Sequence, residues 1–234
     1  MQVPAHRARK AQLADENMFA RPAMESTSVS LLDALCALGL LGITALLVWF
    51  ASAKVGVARP PALIVLATVF PIGVVLFLPS SPFFLSSDGL YYQEWGFAIS
   101  RAWSGEPSEL ARQQVWPGKG VWPALIAAFH SAIGPVTLSL IAFNSAIMSA
   151  TIVVLQKSIL FLSGHKAKWS LVVFVLSSPS FVIFGPSILR ESLFWLGTSL
   201  GVLAISSVRK ASLGKTISST IAGVVLVLAV RPDA

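Results

Sequence analysis

From Ser28 to Val230 the chain is a succession of long apolar stretches, and one polar loop, 79–119, interrupts them. A stretch of this kind constrains the backbone before it constrains anything else. In a bilayer each N–H and C=O must find a partner within the protein, which leaves helices or a closed barrel. The stretches are continuous rather than alternating, so they read as helices. Composition agrees: hydrophobic residues make up 55% of the chain and charged residues 12%, where a soluble domain carries roughly 25% charged residues. Mean hydropathy is +0.78. The expectation is an integral membrane protein, all-α, built as a polytopic helical bundle. It has about six to seven membrane segments and an interfacial amphipathic helix in an external loop.

The formal net charge is +7. The basic residues stand between the apolar stretches, which suits loops at an anionic membrane surface and argues against nucleic acid as a partner. The single cysteine, Cys36, lies within the first apolar stretch and forms no intrachain disulfide. Residues 1–27 are polar and basic through Arg7, Arg9, Lys10 and Arg21. The following apolar run starts too late and runs too long for a signal peptide. The expectation is therefore a disordered basic tail over 1–27 and a transmembrane helical domain over 28–234.

Proline, glycine and charge divide that domain. The first span is expected over 29–53, followed by Lys54 and Arg59, and the second over 62–78 after Pro60 and Pro61. Residues 88–103 mix Tyr91, Tyr92, Trp95, Phe97 and Trp103 with Asp88, Gln93, Glu94 and Arg101, a pattern suited to the headgroup level. The stretch 121–133 is short for a crossing, which needs about 20 residues. Further stretches follow at 136–155, 169–184, 193–206 and 217–230, with basic loops around Lys166 and Arg209.

The positive-inside rule places the loops at Lys166 and Arg209 in the cytoplasm, two spans apart. It also favours the cytoplasm for both the tail and the Lys54–Arg59 loop, which one span separates. The short loop is the better guide, so the tail and the Asp88 loop are expected outside. An odd number of crossings must then follow, and 121–133 reads as a re-entrant segment buried in protein.

Few residues offer chemistry. Asp88 suits a helix N-cap, with its charge favoured by the helix dipole. It also suits a base at a membrane-edge cavity, and the two roles are compatible. Glu94 is six residues on and not on the same helix face. It reads as a solvated interfacial charge. Arg190 and Glu191 stand together between apolar flanks, as a mutual ion pair or as functional groups. His130 reads as a hydrogen-bonded core residue rather than a metal ligand, since no second His or Cys stands at ligand spacing. His165 reads as solvated. Asn144 is expected to hydrogen-bond between helices. Arg101, Arg112 and Lys119 suit phosphate or headgroup contact. No nucleotide-binding loop, zinc signature or nucleophile elbow is present.

Several motifs occur in a recognisable order. An Asp (Asp88) precedes Tyr91-Tyr92 in the first large loop, and the aromatic segment ends near Gly105-Glu106. Trp116-Pro117-Gly118 and Trp122-Pro123 lead into the next helix. Ser178-Pro179 is followed by Arg190-Glu191, and Arg231-Pro232 comes last. This layout resembles the N-terminal portion of GT-C-fold membrane glycosyltransferases, the group around protein O-mannosyltransferases and lipid A aminoarabinose transferases. The second acid in that family is usually Asp, where this chain has Glu191.

The resemblance implies transfer of a sugar from a polyprenyl-phosphate-linked donor to an envelope acceptor, at the outer face of a bacterial cytoplasmic membrane. Asp88 and Glu191 would be the catalytic acids. Asp88 would act as base or help hold a divalent metal, and Glu191 would stand near the donor phosphate. Arg101, Arg112, Lys119 and Arg190 would contact the phosphate, with Tyr91, Tyr92 and Glu94 in the substrate region. The alternative is a non-catalytic polytopic protein, either a transporter or flippase subunit or an accessory scaffold whose aromatic loop docks a partner.

Overall fold

A computed structural model describes residues 29–77, 88–106, 111, 121–167, 169–178, 181, 190–208 and 211–230. The expected tail, and most of the loops around 79–87 and 112–120, lie outside the described residues. Eight helices and no strand occur among the described residues: α1 Leu31–Val55, α2 Pro60–Phe77, α3 Asp88–Trp103, α4 Val121–Ile133, α5 Leu138–Ser163, α6 Ser170–Ser177, α7 Glu191–Ser207 and α8 Leu213–Val230.

Local chemistry sets the ends. Ser30 caps α1, its hydroxyl accepting from the Asp33 amide at 3.0 Å. Gly56 closes the same helix at φ +75°, and Gly164 closes α5 at φ +72°, a left-handed conformation that glycine adopts without strain. Pro60 begins α2, where its missing N–H costs nothing.

Among the described residues three helices, α1, α5 and α8, are long and apolar enough to cross a membrane. That is fewer than the six to seven segments expected from the apolar stretches. Proline and glycine end α4 and α6 early. At 1.5 Å per residue, the 13 residues of α4 reach only about 20 Å, against a hydrocarbon core of about 30 Å. The stretch expected over 169–184 contributes the eight-residue α6, and the rest of it is mostly outside the described residues.

The three crossing helices differ in burial. For α5, 67% of its apolar window is buried inside the protein, against 17% for α1 and 11% for α8. The buried face of α5 is rich in Ser, Thr and Ala, small side chains that let neighbouring helices approach. Ser145, Thr151 and Ser158 return their hydroxyls to carbonyls one turn back, while Ser149 donates to the Ala62 carbonyl of α2 at 2.7 Å. Exposed Leu35, Leu38, Leu46 and Phe50 on α1, with Ile221, Val225 and Leu228 on α8, give the bundle a broad exposed apolar surface.

Contacts fix the directions. Asp33 near the start of α1 meets the start of α5, and Val55 at the end of α1 meets Lys157 near the end of α5, so the two helices run parallel. Helix α7 runs the same way: Ser192 at its start bonds Asn144 on α5 at 2.5 Å, and Leu203 and Ser207 near its end share a cavity with Lys54 and Lys157. Helix α8 returns against α7. There a Cβ on Gly223 would lie 2.8 Å from the Gly197 carbonyl oxygen, so the two backbones touch. The bundle thus has one end where α1, α5 and α7 begin and another where they finish.

Candidate functional site at the acid-bearing end

The end where α1, α5 and α7 begin holds every described acid whose side chain is buried or half-buried: Asp33, Glu94 and Glu191. A helix start leaves amide N–H groups without partners, and inside an apolar bundle they need one. For α5 the partner comes from another helix. Asp33 is fully buried, and its Oδ2 accepts from the amides of Thr137 and Leu138, each at 2.9 Å, while Oδ1 accepts from Ser139 at 2.8 Å. Ser139 Oγ donates to the Asp33 carbonyl oxygen at 3.1 Å. Thr137, the residue before α5, makes no side-chain cap of its own. Its hydroxyl accepts instead from Gln93 Nε2 of α3 at 3.0 Å, and the same nitrogen donates to the Val136 carbonyl at 2.9 Å. One carboxylate and one amide therefore lock α1, α3 and the start of α5 together.

The middle of helix α3 is enclosed by protein, while Tyr91 and residues 101–103 are exposed. Tyr92, Gln93, Glu94, Trp95 and Gly96 are five consecutive buried residues, more than a full turn. Tyr92, Trp95 and Ile99 join Trp122, Ile126 and Ala127 of α4 and Leu140 and Ile141 of α5 in one hydrophobic cluster, with Leu193 of α7 packed against it. Gly96 permits the α3–α4 approach, since a Cβ there would lie 2.5 Å from Ile126 Cγ2. Ser100 and Ser131 hydrogen-bond at 3.0 Å further along the same pair.

This enclosure corrects the expectation for Glu94. It is not a solvated interfacial charge: it is 6% exposed, and burial pushes its carboxyl above the usual value of 4.5. Tyr91 is exposed and Tyr92 is buried, with ring centroids 6.0 Å apart. Arg101 is exposed and pairs with Glu106, also exposed, through a 2.6 Å hydrogen bond from Nε. Asp88 is the first residue of α3. Arg190 and Glu191 are both half-buried, Arg190 just before α7 and Glu191 as its first residue, where the helix dipole favours a carboxylate. Lys119 and Arg112 lie outside the described residues. The structure thus brings the start of α7 and the whole of α3 to one end of the bundle.

His130 of α4 is buried. Its Nδ1 lies 3.1 Å from the Gly134 carbonyl and its ring lies edge-on to Phe97, as a hydrogen-bonded core histidine should. Asn144 accepts from Ser192 of α7, an interhelical bond of the kind expected of it. Gln93 Oε1, Trp95 Nε1 and His130 Nε2 are buried with no hydrogen-bond partner in the chain. Orphaned polar atoms of this kind are costly, and these three stand on the paired helices α3 and α4; Ser52 Oγ and both side-chain polar atoms of Gln156 are orphaned toward the other end. Among the described residues no three His, Cys, Asp or Glu side chains gather as a metal site.

Asp33 is the residue the sequence does not single out. Its only local signal is the acid three residues after Ser30, which reads as an ordinary first-turn carboxylate. No protein-family model matches this chain, and no curated protein or solved structure matches it.

Proposed function

We propose that the protein is a membrane glycosyltransferase that moves a sugar from a polyprenyl-phosphate-linked donor to an envelope acceptor, working at the acid-bearing end of the bundle. The reading rests on one observation above all. The helix that begins at Asp88 and the helix that begins at Glu191 stand at the same end, beside buried Asp33 and Glu94. The opposite end carries Lys54, Lys157 and Lys215, so the positive-inside rule assigns it to the cytoplasm and the acid-bearing end to the outer face of a bacterial cytoplasmic membrane.

In this reading Asp88 takes the proton from the acceptor hydroxyl. The hydroxyl oxygen bonds the anomeric carbon as the carbon–oxygen bond to the polyprenyl phosphate breaks. The phosphate leaves with the electron pair, and Arg190 and Arg101 offset its charge. It is one inverting displacement, in which positioning and charge stabilisation supply most of the rate. The unpaired Gln93 Oε1, Trp95 Nε1 and His130 Nε2 offer hydrogen bonds to a polyhydroxylated substrate. A divalent metal near Asp88 remains compatible with the same scheme.

The test is sugar transfer from a polyprenyl-phosphate donor in vesicles holding the full chain. Asp88→Asn and Glu191→Gln should each lower transfer by about 100-fold or more, the scale of a lost acid–base group, with insertion unchanged. Transfer at the wild-type rate in both variants would remove the proposal. A second reading, a non-catalytic scaffold or a transporter or flippase subunit, draws on α1 and α8. Their broad exposed apolar faces suit other membrane helices as well as lipid. Co-purification of a stoichiometric membrane partner together with absent transfer would favour it.

A further inference from the structure

The other end of the bundle carries a site of opposite sign. Lys54 from the end of α1, Lys157 from α5 and Lys215 from the start of α8 line one cavity of about 660 Å³. Ser207 and Ser212 add hydroxyls, and Phe161 adds an apolar wall. Lys157 is held in place: its Nζ donates to the Val55 carbonyl at 2.7 Å and lies 4.7 Å from the Phe161 ring centroid. One donor is used there, and an ammonium has three.

Among the described residues no acid stands at this end of the bundle. No Asp or Glu occurs between Asp33 and Asp88, between Glu109 and Glu191, or between Glu191 and Asp233. The Arg101–Glu106 ion pair lies at the opposite end. Three ammonium groups in one concavity repel each other, and an anion seated among them reverses that cost. Helix α8 opens on the same cavity through Ser212 and Gly214, and its 18 residues aim their dipole's positive end there.

We infer that this cavity binds a phosphate group, carried either by a lipid of the adjoining leaflet or by a soluble compound. The inference is independent of sugar transfer, which the opposite end would perform. A diffuse basic surface would treat all lysines alike, whereas a cavity distinguishes Lys215 from Lys166, which lines a separate hollow with His165.

The experiment uses the full chain in a nonionic detergent, titrated with inorganic phosphate, dihexanoyl phosphatidic acid or dihexanoyl phosphatidylcholine, and read by the thermal unfolding midpoint. The wild type should be stabilised by a phosphate probe and not by phosphatidylcholine. A response to phosphatidic acid alone identifies a lipid source, and an equal response to inorganic phosphate identifies a soluble one. Lys215→Gln should weaken binding by about tenfold, the scale of one charge-assisted contact, and Lys166→Gln should leave it unchanged. If Lys215→Gln does not fold, Lys54→Gln replaces it. No response to either phosphate probe, an equal response to phosphatidylcholine, or equal losses in the pocket and Lys166 variants would overturn the inference.

Discussion

Helices α1 and α5 are fastened at both ends, and the two fastenings differ in sign and in depth. At one end a buried carboxylate, Asp33, accepts three amide hydrogen bonds at the start of α5. At the other a half-buried ammonium, Lys157, donates one hydrogen bond to a carbonyl at the end of α1. Each charge opposes the dipole of the helix end it meets, so each is favourable. The acid, however, is consumed by its partners, while the ammonium keeps two donors for something else. The difference teaches that burial and saturation go together: Asp33 is structural because nothing else can reach it, and Lys157 is available because the Val55 bond satisfies it only in part.

The largest effect should come from breaking the buried fastening. Asp33→Ala leaves three amides at the start of α5 without acceptors in an apolar setting, and should cost about 3 kcal/mol or more. Asp33→Asn keeps one carbonyl oxygen and should cost less. Unfolding of both variants in a mild detergent, followed by helix content against added denaturing detergent, would rank them. Equal stability of Asp33→Ala and wild type would mean that α5 does not depend on α1 for its cap.

The half-buried fastening should matter less. Lys157→Met keeps the aliphatic stem against Phe161 but leaves the Val55 carbonyl without its donor. A cost of about 1 kcal/mol is expected, because water reaches this end. The same detergent titration compares it directly with Asp33→Ala. A Lys157→Met loss as large as that of Asp33→Ala would erase the contrast between the ends.

Sequence and structure agree where the signal is local. The apolar stretches become helices, and glycines at 56, 134 and 164 take the left-handed conformation at or just beyond helix ends. Helix α5 runs eight residues past the expected Leu155, because the polar Gln156, Lys157 and Ser158 interrupt the apolar run without ending the helix, and Ile159 to Leu162 resume it. What the sequence hides is distance. Asp33 lies 104 to 106 positions from the amides it caps, and no spacing rule reaches so far. Likewise, an aromatic and polar mixture over 88–103 suits both a helix at the headgroup level and a helix enclosed by protein. Packing against Trp122, Ile126 and Leu140 is what buries Tyr92, Trp95 and Ile99, and that packing has no signal in the local sequence. Among the described residues fewer helices reach crossing length than there are apolar stretches, because a stretch shortened by Pro or Gly, such as 121–133, gives a helix too short to span alone.

Glu94 sharpens the comparison within the acid-bearing end, where Asp33 has three amide partners and Glu94 is set apart by desolvation. Burial raises the Glu94 carboxyl above 4.5, so the folded protein holds its proton more tightly than the unfolded chain does. The sign follows. The stability that the neutral form contributes is fully present below the unfolded value and is lost as pH rises through the folded one. Glu94→Gln mimics the protonated side chain at all pH. It should unfold near the wild-type midpoint at pH 4 and at a higher temperature than wild type at pH 8, so the gap between them widens with pH. Thermal unfolding of both proteins in nonionic detergent across that range reads the gap. A constant gap would place the same proton affinity in the folded and unfolded chains, and would return Glu94 to the solvated role that its sequence neighbours suggest.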